Sequence, residues 1–111
     1  MSRDVRLYLE DIQLSCQKII RYTAGMSFDA FLQDERTYDA VIRNLEIIGE
    51  AARNVTVEFQ IGHPEIAWRK TTALRNIIAH EYFGVKDEII WDIIQKEIPR
   101  LGEQIQNILD R

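Results

Sequence analysis

Four side chains that can bind or transform a phosphodiester lie close together in this sequence. The stretch LRNIIAHEYF at residues 74–83 carries Arg75, Asn76, His80 and Tyr82. At about 100° per residue of α-helix, Arg75 and Tyr82 fall within about 20° of each other. Asn76 and His80 fall within about 40° of each other by the same geometry. The spacing therefore predicts that one helix presents these side chains as a polar arc.

The apolar residues of the same stretch indicate which way the polar arc faces. Leu74, Ile77 and Ile78 gather on the opposite side of the helix and are predicted to enter the core. The arc then faces outward, and the small residues Thr72 and Ala79 leave a shallow floor between its flanks.

A shallow floor flanked by a guanidinium and an imidazole suits a phosphodiester. Arginine offers a fork of donors matched to phosphate oxygens, and histidine exchanges a proton near neutral pH. RNA cleavage without a metal needs a base for the ribose 2′-hydroxyl, an acid for the leaving oxygen and a cation for the charge on phosphorus. The pattern makes Arg75 the candidate phosphate contact and His80 the candidate acid/base group. Such a site needs no metal and no cofactor.

A single chain does not complete this site. Arg75 and His80 diverge by about 140° on one helix, so they cannot easily hold one phosphate between them. One chain also supplies only one histidine to the arc. A second copy related by a two-fold axis would bring two arcs face to face. The pattern therefore predicts a homodimer.

Two other interpretations fit the same spacing. Arginine and histidine are favoured in the last turns of a helix because they lie near the negative end of its dipole. The arc could therefore be structural, in a helical adaptor. A phosphate cradle could equally hold a nucleotide or a partner enzyme without chemistry of its own. The residue types alone leave these alternatives open.

Composition narrows the class of protein. The chain has 111 residues, 46% of them apolar, which predicts one domain over residues 1–111 with a single core. No apolar run approaches the ~20 residues of a membrane span, and the charged start MSRDVRLYLED does not resemble a targeting signal. We therefore expect a cytoplasmic protein. The net charge of -4 disfavours indiscriminate attraction to nucleic acid, so RNA binding requires a local basic site.

Apolar residues at helical spacing predict an all-α fold, because no stretch alternates with period two for long enough to form a strand. The predicted elements are a helix from Val5 to a stop at Gly25, a short helix FDAFLQ after an N-cap at Ser27, a long core helix from Tyr38 to Phe59, a helix that starts near Pro64 and ends at Gly84, and a last helix capped by Asp87 with a kink or restart at Pro99. Together they predict a four- or five-helix up-and-down bundle. His63 falls between two helices and is interpreted as a loop residue without function.

Single positions carry further structural predictions. The lone Cys16 belongs to the apolar stripe of the first helix and is predicted to fill the core. Leu7 and Leu14 lie on the outside of that helix, which makes them an interface candidate. Gly49 interrupts the long helix at a cost of about 1 kcal/mol against alanine. Because its neighbours are small, it is predicted to let another helix approach closely.

The other face of the long helix is charged. It carries Arg43, Glu46, Glu50 and Arg53, whose spacing allows ion pairs within the helix. A face of this kind is normally solvated. Glu46 and Glu50 would repel RNA near a phosphate site unless the two arginines neutralise them, and neither glutamate is assigned a catalytic role.

The stretch RNIIAHEY, Arg75 to Tyr82, resembles the arginine, polar residue, spacer and histidine signature of HEPN domains. The tyrosine two places after the histidine is similar to the form found in HepT toxins. The segments LEIIGEAARNV, VKDEIIWDII and IPRLGEQI extend the resemblance over nearly the whole chain. It implies a four- or five-helix HEPN bundle, a homodimer with the motif at a composite groove, and metal-independent endoribonuclease activity.

The resemblance also implies roles for individual residues. Arg75 would contact the phosphate and its transition state, His80 would be the acid/base, and Asn76 would hold His80 or the substrate in position. Tyr82 would accept AMP from a MntA-like nucleotidyltransferase antitoxin, which would silence the toxin. Because the family includes nucleotide-binding helpers of nucleotidyltransferases, a non-catalytic nucleotide- or partner-binding subunit remains the alternative.

Overall fold

The computed structural model of the chain describes residues 1–81 and 86–111, and the side chains of residues 1–76 and 86–111. Its elements are α1 (Arg3–Thr23), α2 (Phe28–Gln33), α3 (Glu35–Asn54), α4 (Val57–Gly62), α5 (Trp68–Glu81), α6 (Asp87–Asp92), a π-helical turn (Ile93–Glu97) and α7 (Ile98–Leu109). No strand occurs within the described ranges, and the all-α prediction is confirmed.

Helix α3 is the centre of the bundle. It packs against both α1 and α5, and α1 also packs against α7. These are the four longest helices, and the shorter elements connect them or cover their ends. The structure therefore confirms the predicted bundle, with more short helices than the sequence suggested. Within the described ranges no helix is both long and apolar enough to cross a bilayer.

The apolar stripe of α1 enters the core largely as predicted. Leu9, Ile12 and Cys16 are completely buried, whereas Ile20, at helical spacing from Cys16, is exposed. Burial raises the pKa of the Cys16 thiol to about 12, so this cysteine is an unreactive core residue. On the outside of the helix Leu7 and Leu14 are exposed, in agreement with the prediction.

Side-chain caps explain where several helices begin. The oxygens of Ser2, Ser27, Asp34 and Thr56 each accept a hydrogen bond from the backbone amide three residues later. Such caps satisfy donors that have no partner within the helix. The cap predicted at Ser27 is confirmed. The bonds from Thr37 also lower the pKa of the Asp34 carboxyl. Gly25, with φ 77°, follows the end of α1 as predicted.

The long helix is shorter than its apolar pattern suggested. It begins at Glu35 and ends at Asn54, so the predicted extension to Phe59 is wrong. Val55 is extended, and Thr56 caps the separate helix α4, which carries Phe59. A local cap therefore ends the helix although the apolar periodicity continues.

Two other predicted boundaries are also wrong. Helix α5 begins at Trp68, because Pro64 lies in a turn where the Trp68 indole donates a hydrogen bond to the His63 carbonyl at 2.9 Å. Asp87 does not cap α6, because its carboxylate accepts a hydrogen bond from the Tyr38 hydroxyl at 2.7 Å. The restart at Pro99 is confirmed, since this residue lies in the first turn of α7. The predicted stop at Gly84 lies outside the described residues.

Candidate functional site

Helices α3 and α5 meet in backbone contact at Gly49. A Cβ added to Gly49 would lie 2.8 Å from the Cβ of Arg75 and 3.0 Å from its Cα, and closer still to its backbone nitrogen. Packed protein atoms do not approach this closely. The prediction that Gly49 admits a neighbouring helix is therefore confirmed. Its partner is the backbone of Arg75, the candidate phosphate contact.

Glu50, which follows Gly49 on α3, pairs with the guanidinium of Arg75. Glu50 Oε2 lies 2.5 Å from Arg75 Nε, and the two side chains are 50% and 36% exposed. Gly49 and Glu50 together therefore fix both the backbone and the head group of Arg75. The guanidinium is neither buried nor fully solvated, which leaves it accessible to a ligand.

The ion pairs predicted within α3 form only in part. Arg43 lies 3.7 Å from Glu46, as the spacing predicted. Glu50 pairs with Arg75 on the neighbouring helix instead of an arginine of its own helix. Arg53 is exposed and makes no ion pair with any described side chain. The charge of Glu50 is therefore neutralised by Arg75, the candidate phosphate contact.

Arg75 faces a groove between α1, α3 and α5, which we call the α1–α3 groove. It has a volume of about 380 Å³ and is lined by Tyr8, Asp11, Arg43, Glu46, Ile47, Glu50, Ala51, Asn54 and Arg75. The described residues of its lining contribute three carboxylates and two guanidinium groups. The groove is therefore polar and not basic overall.

Asn76 faces a different groove on the other side of α5, which we call the α4–α5 groove. It has a volume of about 420 Å³ and is lined by Gln60, Trp68, Arg69, Thr72, Ala73 and Asn76. Asn76 is exposed. Because consecutive helical residues point about 100° apart, Arg75 and Asn76 stand on the two flanks of α5. The predicted outward arc is thus confirmed for these two residues, but their side chains line separate grooves.

The core side of α5 follows the sequence prediction where it is described. Leu74 is buried. Ile77, Ile78 and Ala79 belong to the helix, but their side chains lie outside the described residues.

The family model described as Ribonuclease HepT-like matches residues 12–108, a range that includes the whole of α3, α4 and α5. The chain belongs to the HepT-like ribonuclease family. The resemblance drawn from the motif is therefore confirmed, and an RNase function is supported at the level of the family.

Relatives of this HepT-like chain carry ribonuclease names. It is 42% identical over 107 residues to a candidate RNase of Methanocaldococcus jannaschii, covering 96% of this chain and 88% of that one. It is 42% identical over 106 residues to a candidate RNase of Caldanaerobacter subterraneus subsp. tengcongensis, covering 96% and 95%. It is 40% identical over 108 residues to a probable ribonuclease HepT of Thermococcus cleftensis, covering 97% and 98%. No solved structure gives a match.

The motif of this HepT-like chain continues after Arg75 and Asn76 with His80 and Tyr82. His80 belongs to α5, four residues and about 6 Å along the axis from Asn76, so the two lie on the same helix as predicted. The side chain of His80 lies outside the described residues, and so does Tyr82 altogether. Among the described side chains, no group of three or more His, Cys, Asp or Glu could hold a metal ion.

The other histidine of the HepT-like chain, His63, makes structural contacts. His63 lies between α4 and α5, and its ring stacks on Phe59 with 4.2 Å between centroids. Its Nδ1 lies 3.5 Å from Glu65 Oε2, and its carbonyl accepts the Trp68 indole hydrogen bond. The predicted loop position is confirmed.

Proposed function

We propose that this chain is the toxin of a toxin–antitoxin module, a metal-independent endoribonuclease that acts as a homodimer in the cytoplasm, with residues 1–111 forming one HepT-like domain. The observation that supports it most is the fixed placement of Arg75 by Gly49 and Glu50, on the helix that also carries Asn76 and His80. A reaction that builds negative charge on phosphorus needs a cation placed before the substrate arrives.

The proposed reaction uses the ribose of the substrate as the nucleophile. His80 removes the proton of a 2′-hydroxyl, and the 2′-oxygen attacks the adjacent phosphorus. The bond to the 5′-oxygen breaks, and that oxygen takes a proton from His80 of the second copy. The products are a 2′,3′-cyclic phosphate and a 5′-hydroxyl. Asn76 orients His80 or the substrate.

Arg75 can serve the phosphate while it remains paired with Glu50. A guanidinium has five N–H donors, and the ion pair with Glu50 is made at Nε. The terminal nitrogens remain for the non-bridging phosphate oxygens, which match a planar fork of donors. In this proposal Glu50 orients Arg75 and takes no part in proton transfer.

RNA cleavage by the purified protein tests the proposed function. Total RNA is incubated with the wild type and with His80→Ala, both with a chelator present. The wild type is expected to cut RNA and leave 2′,3′-cyclic phosphate ends, while the variant is inactive because it lacks the base. Light scattering checks for the homodimer. Equal cleavage by both proteins, or no cleavage by the wild type, would refute the nuclease.

AMPylation of Tyr82 is a separate prediction. Tyr82 follows Arg75 by seven residues in the sequence, a spacing that corresponds to about 20° on a continuous helix. We therefore expect an AMP attached to Tyr82 to bring a phosphate to the same guanidinium and to block RNA. Incubation with a MntA-like nucleotidyltransferase and ATP is expected to add AMP and to abolish cleavage. Intact mass spectrometry of the wild type and of Tyr82→Phe measures the adduct. If the phenylalanine variant is modified and silenced equally, Tyr82 is not the acceptor.

One observation favours the alternative of a non-catalytic nucleotide- or partner-binding subunit. Carboxylates outnumber guanidinium groups in the α1–α3 groove beside Arg75, which disfavours a polynucleotide there more than a small ligand. Under this alternative no RNA is cut at any protein concentration, and His80→Ala changes the affinity for a nucleotide or for the nucleotidyltransferase.

A further inference from the structure

The α4–α5 groove offers a charge environment that the α1–α3 groove lacks. Among the described residues that line it, none is a carboxylate and Arg69 is the one cation. Arg69 is exposed and forms no ion pair with any side chain in the described part of the chain. By contrast, three carboxylates line the α1–α3 groove. A polyanion that approaches α5 is therefore favoured on the α4–α5 side.

The groove leads directly to the motif. Arg69, Thr72 and Asn76 are spaced i, i+3 and i+7 on α5, and all three line it. Arg69 and Asn76 fall within about 20° of each other and lie about 10 Å apart along the helix axis. An extended RNA strand covers this distance within a few nucleotides. A strand in the groove would thus reach from Arg69 to the polar residue beside Arg75.

The wall of the groove is held in place by packing and hydrogen bonds. The Trp68 side chain is 8% exposed, and its indole N–H donates to the His63 carbonyl. The Phe59 ring packs edge-on against Trp68, with 6.3 Å between centroids. The Gln60 amide donates to the Val55 carbonyl at 3.2 Å. The groove is therefore a formed feature of the α4 and α5 packing, and binding in it requires little ordering of its walls.

We propose that Arg69 binds a backbone phosphate of single-stranded RNA a few nucleotides from the scissile one, and that the α4–α5 groove guides the strand to Asn76. This inference rests on the proposed ribonuclease function and adds the path by which substrate reaches the site. Arg69 is a binding residue and takes no part in the chemistry. Its role is positional: it neutralises one phosphate and sets the direction of the strand.

RNA binding without cleavage tests this path. Affinity for a labelled single-stranded RNA is measured over a range of salt concentrations in the His80→Ala background, so that no substrate is cut. Arg69→Ala is expected to weaken binding about tenfold at low salt, as for loss of a hydrogen bond to a charged group. It should also reduce the slope of log affinity against log salt by about 0.7, as expected for one phosphate contact to a single strand. Arg69→Lys should restore most of the slope.

Lys70→Ala is the matched control, because Lys70 is the next residue of α5 and is also exposed. It points away from the groove, towards Glu97 at 3.8 Å. The control should leave the slope unchanged, and both variants should unfold at the same temperature as their parent. Equal effects of the two variants, an unchanged slope in Arg69→Ala, or no RNA binding by the parent would overturn the proposal.

The design separates this inference from the proposed function. If the wild type does not cut RNA but Arg69 alone sets the salt slope, the ribonuclease fails and the RNA path stands. If the wild type cuts RNA and Arg69→Ala binds and cuts as well as Lys70→Ala, the path fails and the ribonuclease stands.

Discussion

Replacing Arg75 with alanine is expected to lower the rate of RNA cleavage about 100- to 1000-fold, because removal of one pre-placed donor for transition-state charge has effects of this size. The fold should survive. The ion pair between Arg75 and Glu50 is partly exposed, at 36% and 50%, and such pairs contribute about 0–1 kcal/mol. Single-turnover cleavage of a defined RNA measures the first effect, and urea unfolding measures the second.

Two further variants show why the rate falls. Arg75→Ala leaves the Glu50 carboxylate unpaired beside the phosphate, so repulsion could add to the loss of the cation. Arg75→Ala combined with Glu50→Ala removes both groups and should remain almost as inactive if the cation is what matters. Arg75→Lys keeps the charge but not the fork and should be intermediate. Cleavage by Arg75→Ala within a few-fold of the wild type would exclude Arg75 from the site.

Gly49→Ala is expected to lower the free energy of unfolding by up to about 2 kcal/mol. The added methyl group meets the backbone of Arg75 and must push α3 and α5 apart, and such overpacking typically costs about 1–3 kcal/mol. The gain in helix preference from glycine to alanine, about 1 kcal/mol, offsets part of this cost. Cleavage should fall about 100-fold, because a displacement near 1 Å can cost that much in a catalytic site.

Gly62→Ala is the matched control for this prediction. A Cβ added to Gly62 would meet no atom within 4 Å, so the same chemical change has no packing cost. Urea unfolding and cleavage should be unchanged or slightly improved in this variant. If Gly49→Ala were as stable and active as Gly62→Ala, the close contact between α3 and Arg75 would not be what positions the site.

The sequence pattern did not reveal the RNA path that we propose through Arg69. Arg69 precedes Asn76 by seven residues, which places both on one face of a helix. That spacing could have indicated a shared surface. It could not show that α4 packs beside this face, because the pattern predicted no separate helix at Val57–Gly62.

Local interactions determined most of what the sequence predicted correctly. Helical periodicity depends on neighbours three and four residues apart, and a cap such as Ser27 depends on the next turn. These effects are independent of the rest of the chain. For the same reason the single-helix arrangement of Arg75, Asn76 and His80 was predictable from their spacing.

Only the tertiary structure decided which elements meet. The sequence indicated that Gly49 admits another helix, but not that the partner is Arg75. It allowed Glu50 to pair within its own helix, whereas the packing of α5 on α3 brings Arg75 within 2.5 Å. It grouped Arg75 with Asn76, whereas the helices on either side of α5 separate them into two grooves. These outcomes depend on contacts between residues far apart in the chain, which periodicity and spacing do not encode.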